Sequence, residues 1–243
     1  MKNIDELIDH NSCKWQTLLE SKESAKNRIE ILPASETSRQ ECLLSLQIST
    51  SSFLGSFVYE SGGLLVDNGW LRVLGSGHTS LTRTVAKWTE LATKQAIDSW
   101  PYILIADDVI GGFFAIDCGS LGERGSVFYF APDTFKWECL GLDFASFVLE
   151  FCMNQDLNDF YHPYRWKEWN SDIKSLSGDQ AFSIMPPLFI KRAGIFQRKD
   201  IWFSRTRKPV PIEELFSFSM NTAKELEKVP SGGTIKFSWS DFK

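Results

Sequence analysis

A chain of 243 residues, 43% hydrophobic and 23% charged, is long enough to bury a substantial core and too apolar for wholesale disorder. A net charge of −5 opposes long-range attraction to phosphate, and no window approaches the roughly 18 apolar residues of a membrane span, so nucleic acid and membrane are disfavoured as partners. Five cysteines (Cys13, Cys42, Cys118, Cys139, Cys152) are odd in number and contain no CxxC pair, which fits reduced thiols in the cytoplasm better than a disulfide framework.

Along the chain, Ile4 to Leu19 carries apolar residues on one helical face, broken near Asn11-Ser12, and predicts two short helices. Arg28 to Leu32 alternates and stops at Pro33, as a strand does. Ser35 precedes a helix through Leu46. Ser51 and Ser52 precede another through Phe53, Leu54, Phe57 and Val58, which Gly62 is placed to end in the left-handed conformation. Leu64 to Val66 and Trp70 to Leu74 flank Asp67-Asn68-Gly69, the signature of a two-residue hairpin turn.

Leu81 to Ala96 then has helical spacing, with Gly75 and Gly77 at its entry. Tyr102 to Ala106, Phe113 to Asp117, Ser126 to Phe130 and Trp137 to Leu140 are four strands on short links, a mainly antiparallel meander, with Gly111 and Gly112 suited to a bulge. Leu142 to Met153 is strongly helical. Asp156 to Leu176 is helical and aromatic, interrupted by Pro163. Met185-Pro186-Pro187 marks an irregular connection, Ile201 to Arg205 a strand, Pro211 to Lys228 a helix and Thr234 to Trp239 a last strand. These elements predict one α+β domain over 1–243, with a core at about 28–153 and a helical and strand extension at about 154–243. A mainly antiparallel or mixed sheet is flanked by helices.

Chemistry-bearing motifs are sparse. Gly75-Ser76-Gly77-His78-Thr79-Ser80 has the outline of a dinucleotide loop, but its third glycine is Ser80 and the neighbouring strands lack helical crossovers, so no cofactor is expected. His10, His78 and His162 have no partners at metal-ligand spacing, so no metal is expected either. Asp107 and Asp108 are either turn residues or a carboxylate pair capable of acid-base work. Phe160 to Trp169, FYHPYRWKEW, is either a ring-packed helix or a binding surface rich in Tyr, Trp and Arg. Lys191 to Lys208 holds seven basic residues against Asp200, a local +6 that leaves −11 elsewhere. Pairing with the protein's own acidic face explains that strip most simply, ahead of an acidic protein partner or nucleic acid.

The blocks Ser61 to Gly77, Asp107 to Asp117, Val127 to Leu140, Phe160 to Trp169, Leu176 to Leu188 and Arg207 to Leu215 resemble the bacterial family called domain of unknown function 2625. More distantly, the helix, glycine pair, hairpin and strand meander with a Gly-Gly-x-x-Ala-x-Asp element are similar to the SUKH superfamily. That resemblance implies an α+β core and an immunity protein that binds and neutralises a bacterial toxin. Neither resemblance supplies catalytic residues. The expectation is a non-catalytic protein-binding module with binding residues among Trp70, Asp107, Asp108, Tyr161, Tyr164, Arg165, Trp166 and Trp169. The alternative is an enzyme for a small or carbohydrate-like substrate in a cleft rimmed by Trp70, Asp107, Asp108 and Trp166.

Overall fold

The computed structural model of the protein describes residues 1–12, 14–190 and 205–228. Its centre is a seven-stranded sheet in sequence order: β1 (Ile29–Pro33), β2 (Ser61–Val66), β3 (Leu71–Leu74), β4 (Tyr102–Asp108), β5 (Phe113–Asp117), β6 (Val127–Ala131) and β7 (Lys136–Cys139). Every neighbouring pair is antiparallel, so the meander predicted for the later strands extends across the whole sheet. A two-stranded sheet of β8 (Gln180–Met185) and β9 (Thr206–Pro211) stands beside it. The protein is thus α+β with an antiparallel sheet.

Among the described residues the α-helices are α1 (Ile4–Leu7), α2 (Lys14–Glu23), α3 (Glu36–Leu46), α4 (Phe53–Glu60), α5 (Val85–Thr93), α6 (Phe144–Ser146), α7 (Leu157–Tyr161), α8 (Trp169–Asp172) and α9 (Ile212–Glu227). Ser35, Ser52 and Asp143 cap α3, α4 and α6 with their side chains, each accepting from a backbone N–H that the helix leaves unpaired. Beyond α6 the chain widens into a π-helix over Phe147–Cys152, where Phe147 and Phe151 stack at 5.4 Å.

Residues on the two faces of the sheet feed two cores. On one face Phe114, Tyr129, Phe147, Phe151, Tyr161 and Trp166 form an aromatic layer. On the other, Leu74, Trp88, Leu104, Phe113, Phe130 and Phe216 pack beneath α5 and α9. Tyr161 and Trp166 belong to the first core and Ala181, Ile212 and Phe216 to the second, so the segment after Met153 is part of both.

Several local expectations change. The α4 helix passes straight into β2 at Ser61, which is extended and donates its hydroxyl to Phe57 O, so Gly62 takes no left-handed conformation. The β2–β3 link is a longer turn: Val66 faces Leu71, and Asp67, Asn68 and Gly69 all have positive φ. Gly75 serves the sheet rather than a helix entry, because a Cβ there would lie 2.4 Å from Ser61 O, and its carbonyl receives Val85 N–H. Helix α5 starts only after Thr84, its cap. The register shift in β4–β5 falls between Leu104 and Ala106 rather than at Gly111-Gly112. Strand β8 forms where the sequence pattern predicts no element. The 156–176 stretch is a set of short helical turns rather than one helix. The strand expected over Ile201 to Arg205 lies, apart from Arg205, outside the described residues, as do the Thr234 to Trp239 strand and most of the basic strip.

Candidate functional site

Arg72 on β3 and Asp107 on β4 are direct cross-strand partners, and their charged groups form an ion pair. Both are sealed from solvent, at 2% and 0% exposure. An isolated arginine in the otherwise apolar strand Leu71–Leu74 has to find a partner, since a buried lone charge is prohibitively costly. Arg83, in the loop before α5, supplies a second cation to Asp107 and is itself 7% exposed. Its Nε donates to Asp179 Oδ1 at 3.0 Å, its Nη2 donates to Gly178 O at 2.8 Å, and its guanidinium lies 5.2 Å from the Trp88 ring centroid. Arg83 therefore ties the Gly178–Asp179 turn to the sheet.

These contacts set the charge states. Burial works against the charge on Arg72, and Asp107 offsets only part of that. Burial also works against Arg83, but Asp107 and Asp179 more than reverse it and raise its pKa. Asp179 resists its own partial burial because the Thr82 hydroxyl and Arg83 hold its carboxyl below the usual range. Two cations and two carboxylates thus form a closed cluster.

Asp108 follows Asp107 on the strand and points to the opposite face. Its Oδ1 accepts from Gly112 N at 2.7 Å and Ile110 N at 3.1 Å, closing the turn into β5. Its Oδ2 accepts from Tyr129 Oη at 2.9 Å and Tyr161 Oη at 3.1 Å. A Cβ on Gly112 would meet Asp108 Oδ2 at 2.3 Å, so glycine is what lets the carboxylate sit there. Burial pushes the Asp108 carboxyl up to about 6, although all four donors favour its ionised form. The two aspartates therefore form no acid-base pair. One is an ion-paired brace and the other a turn clamp.

The aromatic segment is core. Trp70 is fully buried, and its ring centroid lies 5.4 Å from Tyr161, 5.7 Å from Trp166 and 5.2 Å from Trp169. Arg165 lies over Trp169 at 4.2 Å and reaches Asp67 Oδ2 at 2.5 Å. Tyr164 Oη donates to Asp133 Oδ2 at 2.6 Å and Trp166 Nε1 to Asp172 Oδ2 at 2.7 Å. Tyr161 and Trp166 are buried, while Phe160, Tyr164 and Trp169 are half-buried and packed against the same core, so the rings of the segment serve packing.

Close to the buried cluster the structure opens a cleft of about 340 Å³. Its walls are the Asn68–Gly69 turn, Thr79 and Ser80, the apolar side chains of Leu65, Ile173 and Leu176, and the Ser177–Asp179 turn, with Arg72 contributing to its lining. Trp70, Asp107, Asp108 and Trp166, expected to rim a cleft, lie in the interior instead. Arg72, Arg83, Ser177 and Asp179 were not among the expected site residues. The lone arginine in a buried apolar strand was the available signal. Among the described residues no group of three or more His, Cys, Asp and Glu side chains could hold a metal ion.

Fold and site together define an α+β protein with a central antiparallel sheet and a small cleft near an internally neutralised charge cluster. The chain belongs to the family of proteins of unknown function DUF2625, whose model matches residues 4–215. It is 37% identical over 217 residues to the putative uncharacterized protein YbfG of Escherichia coli strain K12, covering 89% of this chain and 94% of that relative. It is also 35% identical over 190 residues to an uncharacterized protein of Haemophilus influenzae, covering 77% of this chain and 83% of the relative. No helix among the described residues is long and apolar enough to cross a membrane.

Proposed function

We propose that this chain is a non-catalytic, cytoplasmic protein-binding module, and more specifically a toxin-neutralising immunity protein of SUKH-like type. The observation that carries the reading is the state of the carboxylates. Asp107 is held by two arginines and Asp108 by four hydrogen-bond donors, both at 0% exposure, so neither is positioned to exchange a proton with a substrate. The nearby cleft has the volume of a small recess, walled by hydroxyls, an amide, three apolar side chains, and Arg72 and Asp179, whose charges are neutralised within the cluster. A recess of that composition, with its charges already paired, suits one inserted side chain or loop of a partner protein better than it suits bond-breaking chemistry.

Affinity capture from the native bacterium, followed by co-expression with the captured partner, tests this. A stoichiometric complex whose toxic member loses its toxicity supports the reading. Recovery of the chain without a protein partner, together with a substrate turned over at a rate abolished by Asp107→Asn in a variant that is still folded by circular dichroism at the assay temperature, replaces it with the enzymatic alternative.

A further inference from the structure

Strand β7 ends the seven-stranded sheet, and among the described residues no strand pairs with its outer side. Lys136, Glu138 and Cys139 on it are exposed, while Trp137 is half-buried against Tyr102 at 5.1 Å and Phe130 at 5.2 Å. The hydrogen-bond alternation is set at its inner side. Leu140 N–H donates to Val127 O, and the register pairs Glu138 with Tyr129 and Lys136 with Ala131. Lys136, Glu138 and Leu140 therefore face β6 with their backbone groups, which leaves the N–H and C=O of Trp137 and Cys139 pointing outward. A free edge is a template for another strand, and the four-residue length and exposed Lys136 and Glu138, which discourage pairing with a mismatched strand, leave a charge-complementary strand as the one that fits.

We infer that the β7 edge is a self-pairing surface through which two copies of this chain join their sheets antiparallel about a two-fold axis at Trp137. In that register Trp137 exchanges both backbone hydrogen bonds with its counterpart. Lys136 then stands opposite Glu138 of the second copy, and Glu138 opposite Lys136, at the non-hydrogen-bonded positions where Cα atoms approach to about 4.5 Å. Both side chains lie on the same face of the strand, so each pair joins opposite charges. An isologous contact requires such self-complementarity, and the alternation Lys136-Trp137-Glu138 supplies it. Moving the axis to Cys139 would instead set Lys136 against Leu142 and lose both charge pairs. The two Trp137 rings meet on the other face, beside the aromatic contacts each already makes. The strand has only four residues, so the association is expected to be weak and concentration-dependent.

Sedimentation across a concentration series tests the surface, and cross-linking tests the register. The wild type is expected to shift from monomer to dimer as concentration rises. Lys136→Glu, which sets like charges opposite each other, should weaken the dimer at least several-fold, and adding Glu138→Lys to the same chain should restore it. In a Cys139→Ser background, a mixture of Lys136→Cys and Glu138→Cys chains should oxidise to a disulfide-linked heterodimer faster than either chain alone forms a homodimer. A monomer at the millimolar concentrations of an NMR sample overturns the inference. So does a dimer indifferent to Lys136→Glu, or cross-linking that is no faster in the mixture.

Discussion

Tyr161 Oη donates to Asp108 Oδ2 at 3.1 Å across 53 residues of chain, with both side chains fully buried. That bond joins the end of β4 to α7, and Tyr129 Oη makes the parallel bond from β6. Tyr161→Phe keeps the ring and removes one donor to a buried carboxylate, so it should destabilise the protein by about 1–3 kcal/mol. Losing a donor that favours the ionised form should also raise the Asp108 pKa further. Urea denaturation and a carboxyl-carbon NMR titration read the two effects separately.

The pH dependence of stability follows from the same carboxyl. The folded pKa of Asp108 is raised to about 6 from an ordinary 3.8, chiefly by burial. Its contribution is therefore fully present below about pH 4 and is lost as pH climbs through about 6, a change of at most about 3 kcal/mol. Asp179 works the other way, since its depressed pKa gives stability that is lost as pH falls. The difference between the wild type and Asp108→Asn isolates the first effect. The wild type should lose stability relative to the variant between pH 4 and pH 7, as measured by denaturant midpoints in that window.

Removing Asp107 leaves Arg72 and Arg83 buried without their shared counter-charge. Asp107→Ala should cost about 3–5 kcal/mol, more than a typical surface ion pair contributes. A double-mutant cycle with Arg83→Met should show strong coupling, because truncating both partners removes the stranded charge on Arg83. Thermal unfolding of the single and double variants gives the coupling energy.

Much of this fold could be read from periodicity and caps. The meander from Tyr102 to Leu140 was visible because each strand is short, apolar and bounded by turn residues. Asp108 was readable as a turn residue because the local backbone bonds of an aspartate at a strand end are fixed within four residues of sequence. The roles of Arg72, Arg83 and Asp179 were not readable, because each depends on partners brought together by sheet register and by the 178–179 turn, up to 97 residues apart. Gly75 misled for the same reason: its constraint is a neighbouring backbone rather than its own φ.

Gly75→Ala tests that close approach. The new methyl would lie 2.4 Å from Ser61 O and 2.8 Å from Gly62 C, both backbone atoms, so β2 and the segment after β3 would have to separate. A loss of about 3 kcal/mol is expected from the overpacking, read as a lowered denaturant midpoint with an unchanged slope.

The proposed binding role puts a partner's contact in the cleft and leaves the two aspartates to hold the fold. Titration calorimetry of the captured partner against wild type and Ser177→Trp, a substitution at an exposed position in the cleft wall, tests it most directly. The substitution is expected to weaken binding at least tenfold, about 1.4 kcal/mol, while leaving the thermal midpoint unchanged. Equal affinities for the two forms at equal stability would contradict it.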